Sequence, residues 1–148
     1  FNLSLMRVLV INGPNLNMLG KREEDIYGSL TLEQINKLIL SKANDLGIDI
    51  DFFQSNEEGK IVSKIQECSN EEDFIIINPA AFTHTSIAIR DALLSVKVRF
   101  IEVHLSNIFG REDFRQHSFV SSIALGVISG FGHHGYLMAL DALDNMQK

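Results

Sequence analysis

Two pairings in this chain combine residue types and spacing suited to proton transfer: Glu102 with His104, and Arg22 with Tyr27. Residues two apart on a β-strand point to the same side. A carboxylate at position 102 would then orient an imidazole at 104 and favour its protonated form, as a general acid requires. The plainer alternative is a polar strand end satisfied by water. Tyr27 follows Arg22 by five residues, which makes it a candidate base whose ionised form a cation favours. A free tyrosine titrates at about 10, so a working tyrosinate at neutral pH needs roughly 4 kcal/mol of stabilisation from nearby cations. One or two arginines in a water-poor site supply that; outside such a site Tyr27 is an ordinary amphipathic loop residue.

Other polar residues extend the list of candidates. Asn78-Pro-Ala-Ala-Phe-Thr-His-Thr-Ser86 leaves an apolar run and enters a helical pattern. Its backbone N–H groups and small side chains suit an anion, or they form only a tight turn with an N-cap, and His84 within it binds a hydroxyl or merely caps. Arg111, Arg115 and His117 share one polar stretch, open between ligand contact and a solvated charged face. His84, His104, His117 and Glu102 could in principle converge on a metal, although no dense ligand motif such as His-x-x-x-His occurs. Gly132-His-His-Gly135 reads as a surface turn without a role.

The elements that must position these residues follow from hydrophobic patterning. Strand-like apolar runs cover 7–12, 48–54, 74–78, 99–104 and 123–129, separated by helix-length or loop segments. Such alternation predicts an α/β fold with a parallel sheet covered on both faces. Leu32, Ile35, Leu38, Ile39, Ala43 and Leu46 keep helical spacing, with Thr31 and Gln34 as a capping box and Gly47 past the end. A second helix is expected to begin near Ser55, three residues before Glu58, and to turn Ile61, Val62, Ile65 and Cys68 to the sheet. Thr85-Ser86 opens a third, and a last helix spans 136–146. The polar connection 105–122 is long enough to be functional or partly helical. Right-handed crossovers make the flavodoxin-like, doubly wound order 2-1-3-4-5 the leading topology. Ligands in such sheets bind beyond the carboxyl ends of the strands, where Asn12, Asn15, Asn78, Glu102, His104 and Ser106 fall. The polar loop after the first strand, without the Gly-rich spacing of a nucleotide cradle, is the expected centre of chemistry.

Composition narrows the partners. A chain of 148 residues that is 45% hydrophobic suits one domain with one sizeable core, 6–148. Residues 1–5 precede Met6, are too short for a signal peptide, and read as an N-terminal extension or tag remnant. No apolar stretch approaches the roughly 20 residues that span a bilayer. A formal net charge of −6 disfavours nucleic acid and anionic membranes, which want a basic face, while a few local arginines can still hold a small carboxylate. The single cysteine, Cys68, allows no disulfide within the chain and fits a cytoplasmic setting.

Four segments then carry a resemblance: Val10-Ile-Asn-Gly-Pro-Asn-Leu-Asn17 with Leu19-Gly20 and Tyr27-Gly28; Asn78 to Ser86 with Ile89-Arg-Asp-Ala92; Ile101-Glu-Val-His-Leu-Ser-Asn107; and Arg111-Glu-Asp-Phe-Arg-Gln-His-Ser118. In order and spacing they resemble type II 3-dehydroquinate dehydratase, the shikimate-pathway lyase that removes water from 3-dehydroquinate. The resemblance implies a flavodoxin-like fold and an anti elimination with no Schiff base, metal or organic cofactor. It makes Tyr27 the base, Arg22 the cation that keeps it ionised, Asn15 the holder of a water that stabilises the enolate, and His104, oriented by Glu102, the acid for the departing hydroxyl. The substrate carboxylate would meet Asn78 and the backbone of Leu105 and Ser106. His84 and Arg115 would hold ring hydroxyls, and Asp91 would enter from a neighbouring subunit of a dodecamer built from four trimers. A lid over 19–28 would close on substrate, with 12–17 as rigid scaffold.

The competing class is a flavodoxin-like binding or signalling module without turnover. A receiver-type signalling domain wants an acidic cluster after its first strand, where this chain has Asn12-Gly13, and a flavin module wants a phosphate cradle, for which Pro14-Asn15-Leu16 is poor.

Overall fold

Every residue of the strand Asp73–Asn78 is buried, as a central strand must be when both faces of its sheet are covered. The computed structural model describes residues 6–21 and 23–147; the expected extension at 1–5 and the candidate Arg22 lie outside the described residues. In chain order the elements are β1 (Arg7–Asn12), a 3-10 turn (Leu16–Met18), α1 (Glu24–Tyr27), α2 (Leu32–Leu46), β2 (Asp49–Gln54), α3 (Glu58–Gln66) and β3 (Asp73–Asn78). A 3-10 segment (Ala80–His84), α4 (Ile87–Val96), β4 (Arg99–His104), three further 3-10 turns, β5 (Gly126–Ser129) and α5 (His134–Gln147) complete the chain. The five strands are all parallel in the order β2-β1-β3-β4-β5, the expected flavodoxin-like arrangement.

Side-chain alternation along the strands divides the core into two layers. Val8, Val10, Phe74, Ile76, Ile101 and Val103 meet α2 and α5 through Ile35, Ile39, Leu140 and Leu143. Ile11, Ile75, Ile77 and Phe100 meet α3 and α4 through Ile61, Ile65, Ile89 and Leu93. The alternate positions of β4 therefore send Glu102 and His104 to the same side as Phe100.

The capping box predicted at Thr31 and Gln34 is present, and Gly47 caps the other end of α2 in the left-handed conformation. Ser86 caps α4 through the Ile89 N–H, 2.9 Å away. Ser55 does not cap α3: its Oγ accepts from the Glu57 N–H at 2.9 Å, Glu57 takes the cap position, and the helix starts later than the spacing suggests. Cys68 lies past the end of α3 at Gln66 rather than on its stripe, but it is buried. Burial pushes its thiol up to about 11, so it packs as a small hydrophobe. The last strand is shorter than expected, because Ser121–Ile123 forms a 3-10 turn ahead of it. Among the described residues no helix is long and apolar enough to cross a membrane.

Candidate active site

Parallel strands place all their carboxyl ends along one edge of the sheet. There the segments after β1, β3 and β4 enclose an open cleft with both polar and apolar walls, the usual make-up of a small-molecule site. The β1 and β3 loops approach so closely that a Cβ on Gly13 would lie 2.3 Å from the Pro79 carbonyl oxygen, so only glycine fits. The Gly13 N–H donates to the Asn78 carbonyl at 2.8 Å. Asn15 follows in the left-handed region at φ 70°, which asparagine tolerates better than most residues. The turn is held from β2 and its loop: the Asn15 N–H donates to Asn56 Oδ1 at 3.0 Å, and Gln54 Nε2 donates to the Gly13 carbonyl at 3.1 Å. Asn15 is thereby aimed at the cleft that it lines.

Leu19 corrects the expected boundary of the lid. It is 2% exposed and packs in the core layer beneath α2, so it anchors the loop and any movable part begins at Gly20. Gly20 and Gly28 both have positive φ, 82° and 86°, and flank the segment that carries Tyr27. Tyr27 is half-buried, packs against the same core layer and lines the cleft. The Arg111 guanidinium carbon lies 5.4 Å from the centre of its ring, within the range of a cation–π contact.

On β4, Glu102 is fully buried and hydrogen-bonds His104 Nε2, which leaves Nδ1 for the cleft. Glu102 also accepts from Ser121 Oγ at 2.6 Å and from Ser118 Oγ at 3.2 Å. Burial raises its carboxyl, but the hydrogen bond and attraction of His104 and the two serine hydroxyls outweigh that, and the net shift is below the usual carboxylate range. Ionised Glu102 is thus better held in the folded protein than in the unfolded chain. Its stabilisation is fully present above the ordinary glutamate value of about 4.3 and is lost as pH falls through the lower folded value. From about pH 6 to about pH 3, the denaturation midpoint of the wild type should fall more steeply than that of Glu102→Gln; parallel slopes would show that this carboxylate contributes nothing.

After β3, Asn78 lines the cleft floor, and its Oδ1 accepts from the Ala80 N–H at 3.1 Å. His84 Nδ1 donates to the His117 carbonyl at 2.8 Å. Burial lowers the His84 imidazole from its ordinary value, so its neutral form offers Nε2 as an acceptor to a hydroxyl. Arg115, also at the cleft, is tied to Glu112 Oε1 at 2.9 Å. Leu105 and Ser106 line it at the end of β4. Asp91 does not: it lies exposed on α4, away from the cleft of its own chain. His117 turns its ring edge-on to Phe119. Among the described residues no group of three or more His, Cys, Asp or Glu side chains gathers as a metal ion would need.

The family model for dehydroquinase class II matches residues 6–144. The chain belongs to this family. Similar curated relatives are a 3-dehydroquinate dehydratase of Clostridium botulinum (strain Hall), 56% identical over 138 residues that cover 93% of this chain and 94% of that one, and one of Actinobacillus pleuropneumoniae serotype 5b, 54% identical over 145 residues, 97% and 94%. The type II dehydroquinase of Butyrivibrio crossotus superimposes with a TM-score of 0.91 at 47% identity, covering 95% of this chain and 98% of that one.

Two residues of this class II dehydroquinase site, Arg111 and Ser121, have no role assigned by the sequence. For Arg111 the spacing leaves ligand contact and solvation equally open, yet it lines the cleft, hydrogen-bonds Ser106 Oγ at 3.2 Å and faces Tyr27. The available signal was Glu112, a carboxylate between two arginines that ties down Arg115 and lies 3.7 Å from Arg111 Nε. Ser121 carried no signal, because only the path of the chain after β4 brings it onto Glu102.

Proposed function

We propose that this dehydroquinase converts 3-dehydroquinate to 3-dehydroshikimate by an anti elimination through an enolate, without a Schiff base. The supporting observation is that Tyr27, from the β1 loop, and a His104 backed by Glu102, from the end of β4, line one cleft. Tyr27 Oη takes the proton from the carbon beside the ketone, and the electron pair passes to the ketone oxygen as the enolate forms. Asn15 positions a water on that oxygen, where a hydrogen bond matters most as charge develops. The enolate then re-forms the ketone and a conjugated double bond, while His104 gives a proton through Nδ1 to the departing hydroxyl, which leaves as water. Proton exchange with solvent restores both groups. The family resemblance gives Arg22 the part of keeping Tyr27 ionised, and the Arg111 guanidinium carbon lies 5.4 Å from the Tyr27 ring centre. The substrate carboxylate rests on Asn78 and the backbone of Leu105 and Ser106; His84 and Arg115 hold ring hydroxyls. The segment between Gly20 and Gly28 closes over substrate as a lid.

The decisive test mixes purified protein with 3-dehydroquinate and follows the conjugated enone by absorbance. Absence of turnover in assembled protein would overturn the activity, and a lysine adduct trapped by borohydride would overturn the mechanism.

Assembly belongs to the same reading: a trimer in which Asp91 of one subunit completes the site of the next, four trimers forming a dodecamer. In support, Asp91 shares one exposed face of α4 with Ile87 and Leu94, large apolar side chains 56% and 47% exposed. Leu94→Glu should release smaller species in light scattering and lower kcat/KM at least about tenfold. A dissociated variant with full activity would remove Asp91 from the site.

A further inference from the structure

Beneath the cleft floor, Tyr136 takes no part in the proposed chemistry, yet it joins the ends of two strands. It lies on α5, is fully buried, donates its hydroxyl proton to Asn12 Oδ1 and accepts from Asn78 Nδ2 at 3.2 Å. Asn12 and Asn78 are register partners at the carboxyl ends of β1 and β3. We propose that Tyr136 is a positioning residue that fixes which edge of the Asn78 amide faces the cleft, and so makes Asn78 a hydrogen-bond donor to the substrate carboxylate. This rests on the reading of Asn78 as a carboxylate contact and deepens it.

The direction of each hydrogen bond follows from one group that can only donate. The Ala80 N–H is 3.1 Å from Asn78, so the amide atom that it meets is the oxygen. The other amide atom is then the nitrogen, and one of its two N–H bonds goes to the Tyr136 oxygen. The single phenol proton is left for Asn12 Oδ1. Burial pushes the Tyr136 phenol well above the ordinary tyrosine range, so that proton stays in place at working pH. Asn78 therefore keeps one N–H for the cleft that it lines. A carboxylate only accepts, and this donor suits it. A flipped amide would set an oxygen against the ligand's oxygens, face the Ala80 N–H with a second donor, and leave the phenol to serve two acceptors with one proton.

The experiment compares Tyr136→Phe, Asn78→Ala and the double variant in the intact enzyme, with 3-dehydroquinate as substrate. Tyr136→Phe should raise KM about tenfold with kcat within about threefold, the pattern of lost uniform binding. In the double variant KM should rise no further than in Asn78→Ala alone, because both changes remove the same contact. A raised KM in Asn78→Ala beside an unchanged KM in Tyr136→Phe, with or without a lower Tm, would overturn the proposal, as would full additivity in the double variant. An unchanged KM in Asn78→Ala would instead overturn the reading of Asn78 itself. Asn78→Asp tests the donor with the Tyr136 side chain retained: it keeps the size and the acceptor for Ala80, but a charged carboxylate oxygen replaces the amide nitrogen that donates to Tyr136 and toward the cleft. It should bind substrate no better than Asn78→Ala, and wild-type binding by Asn78→Asp would overturn the assignment.

Discussion

Tyr27→Phe should lower kcat by at least about a hundredfold, in line with the 10²- to 10⁴-fold contribution of a positioned acid or base, while KM changes only a few-fold. The ring is retained, so its packing against the core layer next to α2 survives, and so does the surface that it offers Arg111. What is lost is the oxygen that receives the proton. Stopped at this step, the enzyme should still bind 3-dehydroquinate but should not wash solvent deuterium into the carbon beside the ketone. A variant that kept more than about a tenth of the rate, a loss under ~1.4 kcal/mol, would exclude Tyr27 as the base.

His104→Ala should also lower kcat by about 10²- to 10⁴-fold, but through the other half of the reaction. Tyr27 remains, so the enolate still forms and is reprotonated, and exchange at the carbon beside the ketone should outrun elimination. Glu102→Gln should have a smaller effect in the same direction, because the amide still reaches His104 Nε2 but lacks the carboxylate's charge. It also leaves the Ser118 and Ser121 hydroxyls hydrogen-bonded to a neutral oxygen. Exchange that vanished together with elimination in His104→Ala would place His104 in the first step, not the second.

Much of the framework was legible because it is written in local patterns. The capping box at Thr31 and Gln34, the Ser86 cap and the all-buried β3 depend on residues within a turn of each other or on simple alternation. The order β2-β1-β3-β4-β5 follows from right-handed crossovers once those elements are recognised. The exceptions are local too: Ser55 makes a turn with Glu57 instead of a cap, and Leu19 is apolar enough to be drawn into the core and pin the loop behind it.

By itself the sequence determined the family, the fold and a set of candidate residues, since motifs and periodicity survive being read along a line. Only the tertiary structure decided how those residues are supported. Tyr136 reaches Asn78 and Asn12 across 58 and 124 positions, and Ser118 and Ser121 reach Glu102 across 16 and 19. Arg111 meets Tyr27 from a different strand's loop. Hydrogen-bond direction and the facing of a guanidinium act over a few ångströms in space. Which distant residues come that close is set by how five strand ends are brought together, and no spacing along the chain records it.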